Sequence, residues 1–534
     1  MARQGAGLRH AILSIVAAAG LSPATAQKAD RPMLKTTYGP VTGSREGDVR
    51  VFKGVRYAAS TAGRRFQPAL PPTRWTRTIA ATEFGDQCPQ IAGGDTHLFD
   101  SWKNERPASE DCLLLNFWTR GLGDGKKRPI MVWLHGGGYV TGSGASLGYD
   151  GVRLANRGDV VVVTINHRLN AFGYLHLAGI TNDPRYADSS NVGSLDIVRA
   201  LQWVHDNAAA IGGDSGNVTI FGESGGAAKV ATLMAMPAAK GLFQKAIGQS
   251  GSMSLAGFSP EFGTTIASDL IATAGLDPTK IDALAAMPIA DLVKVMQKSR
   301  SRGANFRPVP DGRSLPRQQF DPDATPVSRG VPLLVGTNRT ETTLLIGGSD
   351  PSVFTLRWED LPRRAAPFLA GGDASAIIAK LKATYPTESA SDLFIRISTQ
   401  RQYRRTAITQ AERKVAGGGA PVWMYRLDWQ TPVDGGKWQT PHALEIAFVF
   451  DNVAKSTSIS GSGPDQQRLA DLMSDAWIAF ARTGNPRTEA LPDWPRYDAT
   501  RRATMIFDVT PKLIDDPDPV ERSLFETLPV SRGQ

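Results

Sequence analysis

A Gly-x-Ser-x-Gly stretch can lift a serine hydroxyl onto a sharp strand-to-helix turn, where it becomes an accessible nucleophile. The chain contains two such stretches. Gly144-Ala145-Ser146-Leu147-Gly148 follows a glycine-rich loop, with no strand pattern entering it and no helix pattern leaving it. Gly222-Glu223-Ser224-Gly225-Gly226 follows the apolar run Val218-Thr219-Ile220-Phe221 and opens into Ala227-Ala228-Lys229-Val230-Ala231-Thr232-Leu233-Met234, a good helix start. Only Ser224 has the context that nucleophilic chemistry requires.

Such a serine needs a base, and the base an orienting acid. In one large class of serine hydrolases these follow in the order serine, acid, histidine. Of the seven histidines, His10, His97, His135, His167, His176 and His205 precede Ser224, and only His442 follows it. Many carboxylates lie between. Glu341 follows the strand-like Val331-Pro332-Leu333-Leu334-Val335 through the short loop from Gly336 to Thr340, a good position for orienting an imidazole. Asp428 and Asp434, on the segment leading to His442, are runners-up, and an ion pair with Arg339 is the bland alternative for Glu341. Acyl transfer also needs donors for an oxyanion. His135-Gly136-Gly137-Gly138-Tyr139, directly after Met131-Val132-Trp133-Leu134, offers backbone N–H groups at Gly137 and Gly138, and Gly225 adds a third. No phosphate-binding glycine spacing, His-Glu-x-x-His or Cys/His cluster accompanies these residues, so the reading needs no metal and no cofactor.

The elements that must position these groups are legible as apolar runs. Val160-Val161-Val162-Val163-Thr164-Ile165 is continuous and β-branched, as in strands buried on both faces of a parallel sheet. Residues 195–204 show helical spacing between that run and 218–221, which makes a strand–helix–strand crossover. Further strands are expected at 246–249, 331–335 and 422–427. Residues 255–300 and 351–415 read as helical insertions, and Gly417-Gly418-Gly419 as a turn. The expected fold is α/β, a mostly parallel central sheet with helices on both faces.

The 534 residues carry a formal charge of +9 with no run of five like charges, which argues against nucleic-acid binding. Arg3 and Arg9, an apolar stretch from Ala11 to Leu21 and Ala24-Thr25-Ala26 form the charged, apolar and small-residue order of a secretory signal. Residues 1–26 are therefore expected to be removed, leaving 27–534 as one domain without a membrane-spanning segment, secreted or periplasmic. Export permits Cys88 and Cys112 to pair; two buried thiols are the alternative.

With these residues in hand, the chain resembles the type B carboxylesterase and cholinesterase family of α/β-hydrolases over nearly its whole length. The markers include Phe52-Lys53-Gly54-Val55, Ser109-Glu110-Asp111-Cys112-Leu113, His135-Gly136-Gly137-Gly138, Asn166-His167-Arg168-Leu169, Phe221-Gly222-Glu223-Ser224, Gln249-Ser250-Gly251 and Pro308-Val309-Pro310-Asp311-Gly312. The resemblance implies Ser224 as nucleophile, Glu341 as acid, His442 as base, a Cys88–Cys112 disulfide and a Ser250 hydroxyl near the triad. Its expected partner is a small-molecule ester. Departures are Gly225 where alanine is usual, Thr340 and Thr342 around Glu341 where aspartate and glycine are usual, Arg56 for proline and His167 for tyrosine. Trp102 and Glu223 stand at positions similar to those in cholinesterases, where the tryptophan binds choline; a quaternary cation could stack on such a ring, and an aromatic shielding the pocket mouth is the preferred reading here. Counting back from Pro308-Val309, the acyl-pocket phenylalanines of acetylcholinesterases correspond to Arg302 and Ala304, which suggests a roomier acyl side for bulky or aromatic esters. A non-catalytic adhesion scaffold is the rival from another class, and a lipase or amidase would share the chemistry.

Overall fold

The computed structural model describes residues 31–91, 94 and 96–529. The expected signal segment and its cleavage after Ala26 lie outside them. Among the described residues eleven strands form the main sheet: β1 (Ser44–Glu46), β2 (Val49–Arg56), β3 (Leu114–Thr119), β4 (Arg128–Leu134), β5 (Val161–Ile165), β6 (Gly213–Glu223), β7 (Lys245–Gln249), β8 (Leu333–Asn338), β9 (Val422–Leu427), β10 (Ala503–Phe507) and β11 (Lys512–Asp515). In space they run β11-β10-β9-β8-β7-β6-β4-β5-β3-β2-β1. The run from β10 to β5 is parallel and both edges are antiparallel.

The β-branched and aromatic runs make these strands because side chains alternate between two covered faces. Ile130, Val132 and Leu134 of β4 pack with Ile197, Leu201 and Val204 of α1 (Val192–Asn207) and Val230 and Leu233 of α2 (Gly225–Ala235). Met131 and Trp133 face the other way, into Leu469, Met473, Trp477 and Phe480 of the helix Pro464–Thr483. The mostly parallel sheet with helices on both faces is therefore present.

Several strand limits differ from those expected, among them those of β6 and β8. β6 begins at Gly213, because Arg128 of β4 pairs with that residue and draws a polar stretch into the ladder. β8 extends to Asn338, because β9 pairs with it as far as Asn338 opposite Leu427. Both expected insertions are helical. Pro260–Thr273, Ile281–Ala286 and Ile289–Arg300 lie in the first. Ala374–Thr384, Ala390–Thr399 and Arg405–Ala416 lie in the second, with a Ser389/Asp392 capping box opening Ala390–Thr399. Cys88 and Cys112 form a disulfide. Among the described residues no helix is long and apolar enough to cross a membrane.

Candidate active site

The sheet delivers its chemistry at the carboxyl ends of adjacent parallel strands, where open α/β sheets place their sites. β4 ends at the glycine loop, β6 at Ser224 and β7 at Ser250; the chain after β8 carries Glu341, and that after β9 carries His442. Ser224 sits between β6 and α2 with φ 56° and ψ −120°, a conformation that costs a non-glycine residue energy and thrusts its side chain outward. Its N–H donates to Gln249 O at 2.8 Å, tying the turn to β7. The glycine at 226 is required by close approach: a Cβ there would lie 1.9 Å from Leu134 O.

Glu341 is fully buried. Its Oε1 accepts from Asn338 N at 2.8 Å, and its Oε2 lies 2.7 Å from His442 Nδ1. A carboxylate only accepts, so Nδ1 carries the proton and Nε2 is left to face the cavity. The unusual flanks of Glu341 have defined work. Thr340 Oγ1 accepts from Thr440 N at 2.8 Å and joins the acid loop to the histidine loop. Thr342 Oγ1 bonds the hydroxyls of Ser398 at 2.7 Å and Thr399 at 3.0 Å, fastening the acid loop to the second insertion. Arg339 does not pair with Glu341; it lies 3.9 Å from Asp428. Asp428 is held by Arg426 and Asp434 by His97 and Trp438, so neither runner-up serves His442.

Two further carboxyls surround the imidazole. Glu223 Oε1 is 3.0 Å from His442 Nε2. Glu445 Oε2 accepts from Asn338 Nδ2 at 2.7 Å. Burial pushes Glu223 up to about 8, opposed chiefly by the imidazole. Burial alone would lower His442, but Glu223, Glu341 and Glu445 outweigh it and carry it up to about 9. At 3.0 Å the carboxyl of Glu223 and the imidazole are close enough for each to influence the titration of the other, with His442 displaced upward.

The glycine loop is ordered peptide by peptide. Burial, with the charge of Lys229, lowers His135 to about 3, so its ring is neutral and its Nδ1–H donates to Gly136 O at 2.9 Å. Gly137 O accepts from Val140 N at 3.2 Å and Thr141 N at 3.1 Å. In a trans peptide the next N–H points opposite the carbonyl, so the N–H groups of Gly137 and Gly138 turn away from these partners. Positive φ values of 82° and 65° at these residues make the loop one for glycine. Among the described residues neither these amides nor that of Gly225 donates to a protein acceptor.

Ser224, His442, Glu223 and the glycine loop line one cavity of about 750 Å³. Phe99, Trp102 and Tyr149 make one wall, and Met253, Phe306, Leu344 and Leu345 contribute apolar surface elsewhere. A depression of about 530 Å³ at Gly123, Ala210 and Gly212 lies by the amino ends of β4 and β6, remote from these groups. Trp102 lines the cavity, with its Nε1 donating to Ser456 Oγ at 2.9 Å and Phe99 stacked 5.2 Å from its ring. One face of the indole is thereby covered. Ser146, of the discarded motif, donates to Trp102 O at 3.2 Å.

The acyl-side register is corrected. Arg302 reaches away to Asp269, and Ala304 is buried in the core under the first insertion. The turn after Ile289–Arg300, where Ala304 N returns to Ser299 O, sends Ala304 inward, and Asn305 and Phe306 line the cavity instead. Ser250 is buried with φ 53°, but its hydroxyl bonds neither Glu341 nor His442. Lys229, Asn338 and Glu445 escaped the sequence reading, for no motif marks them; the i+3 spacing of Glu445 from His442 is the only local signal.

A central, mostly parallel sheet with a strained serine after β6 and a buried carboxylate–imidazole pair beside it defines an α/β-hydrolase. The chain belongs to the carboxylesterase family, whose model matches residues 30–524, and is a carboxylic ester hydrolase. It is 36% identical over 500 residues to the para-nitrobenzyl esterase of Bacillus subtilis, covering 92% of this chain and 97% of that protein. It is 32% identical to the phenmedipham hydrolase of Pseudarthrobacter oxydans, covering 89% and 95%. Among solved structures, the Geobacillus stearothermophilus carboxylesterase Est55 matches with a TM-score of 0.81 and 37% identity, over 93% of this chain and all of that one.

Proposed function

We propose that the protein hydrolyses carboxylic esters through an acyl-enzyme on Ser224. His442 takes the serine proton as Oγ attacks the carbonyl, and Glu341 holds the imidazole and stabilises its cation. The oxyanion rests on the N–H groups of Gly137, Gly138 and Gly225. His442 then gives the proton to the leaving alcohol, and water, activated by the same imidazole, attacks the acyl-enzyme, regenerating the serine and releasing the acid. The observation that carries this reading is the buried 2.7 Å contact between Glu341 and His442 in the cavity wall that also holds Ser224 at φ 56°.

The substrate reading is a bulky or aromatic ester. A cavity of about 750 Å³ with Phe99, Trp102, Tyr149 and Phe306 in its walls has the size and apolar character of a site for a drug-sized ligand. A relative named for para-nitrobenzyl esters supports it. The exported location rests on the charged, apolar and small-residue order of residues 1–26.

Labelling with an organophosphate, followed by peptide mass analysis, tests the chemistry: the adduct is expected on Ser224. Its absence there would favour a non-catalytic scaffold. A p-nitrophenyl ester series tests the substrate reading, and a strong preference for acetyl over benzoyl esters would reject it.

A further inference from the structure

Lys229 is fully buried one helical turn beyond Gly225 on α2, yet among the described residues no carboxylate lies within ion-pair distance of it. Its Nζ instead donates to His135 O at 2.9 Å and to Gly138 O at 2.8 Å, two carbonyls of the glycine loop. Burying an ammonium is costly, and burial draws Lys229 down to about 7, so both contacts must compensate for lost water. Tyr139 adds a second fastening from the same loop to the same helix: its hydroxyl lies 3.2 Å from Thr232 Oγ1, and Lys229 sits 5.5 Å from its ring centre.

The loop can approach α2 this closely because residue 225 has no side chain. A Cβ there would meet Gly138 O at 2.2 Å and Gly138 N and Cα at 2.5 Å. These are backbone atoms, which cannot swing aside. The glycine at a position where the family usually has alanine and the buried lysine at 229 thus act on one contact: the first lets the loop settle and the second holds it there.

We infer that Lys229 is a positioning residue of the oxyanion hole, clamping the His135 and Gly138 carbonyls to the nucleophile helix and so fixing the direction of the Gly137 and Gly138 amides. The inference rests on the Ser224 reading. His135 Nδ1–H holds Gly136 O, and the Val140 and Thr141 amides hold Gly137 O. Lys229 holds the carbonyls on either side, so every carbonyl from residue 135 to residue 138 is turned to a partner. Such preorganised donors act on charge that develops only in the transition state.

The test compares Lys229→Met, which removes charge and donors at similar length, with Lys229→Gln, which keeps an N–H donor but no charge. Rates are referred to Ser224 sites titrated with an organophosphate, and affinity for a trifluoromethyl ketone, which forms an oxyanion on the serine, is measured in parallel. In Lys229→Met, kcat per titrated site is expected to fall about 100-fold, with KM within about threefold and ketone affinity falling in step. Lys229→Gln should fall between the two. If both variants keep kcat per titrated site and ketone affinity within threefold of the parent, while only melting temperature or active fraction drops, Lys229 is structural and the inference fails. Loss of titratable serine in both variants would likewise make it a folding residue. A titratable Ser224 that turns over normally in neither variant, beside a normal ketone affinity, would overturn the clamp while leaving the ester-hydrolase reading intact.

Discussion

Replacing Glu341 with glutamine removes one charge and little volume. Its Oε2 lies 2.7 Å from His442 Nδ1 in a fully buried site. At an effective dielectric of about 20, a full charge pair at that separation is worth about 6 kcal/mol. Glutamine has one acceptor oxygen for two donors, Asn338 N–H and His442 Nδ1–H, so the charge is lost and one of these bonds with it; about 4–6 kcal/mol is the expected loss, or about 10³- to 10⁴-fold in rate. The charge matters only when the imidazolium forms, so kcat should fall while KM stays nearly constant. Glu445 cannot substitute, because its oxygens are occupied by Asn338 and Gln249. Steady-state kinetics on p-nitrophenyl butyrate, with circular dichroism and melting curves to verify folding, measure the effect. A Glu341→Gln enzyme within tenfold of the parent, or a larger loss in Glu445→Gln, would refute the assignment of the acid.

Glu223→Gln removes a carboxyl 3.0 Å from His442 Nε2 that favours the imidazolium. A base must be unprotonated to act, so the acid limb of kcat/KM should move to lower pH by about one unit or more; an upward shift would contradict the upward pull of Glu223 on the imidazole. Thr342→Val cuts the bonds to Ser398 and Thr399 at 2.7 and 3.0 Å and should destabilise by about 1–3 kcal/mol, read as a lower melting temperature, while an unchanged melt would mean the acid loop needs no such fastening. Phe306→Ala should raise the benzoyl-to-acetyl ratio of kcat/KM by about tenfold, whereas Arg302→Ala, pointing away to Asp269, should leave it within twofold; the reverse pattern would restore the sequence register.

How much was legible follows from the range of each signal. The strand before Ser224, the glycines around it and the helix after it are neighbours in the chain, and their backbone requirements are met by residue types within a dozen positions. His442 was recoverable because it alone follows the serine. The acid was harder: Glu341, Asp428 and Asp434 all follow strands, and only tertiary contacts separate them, Glu341 meeting His442 while Arg426 holds Asp428 and His97 and Trp438 hold Asp434.

Local backbone demands leave a trace in the amino acids that must satisfy them, so the elbow, the glycine loop and the parallel strands can be read in advance. Contacts across long separations leave none. Glu341 meets His442 over 101 positions, and Lys229 reaches Gly138 over 91, because strand order sets their loops side by side. The direction of Ala304, sent inward by a turn that no residue pattern announces, was likewise settled by packing, where neighbours distant in the chain choose which side chain is buried.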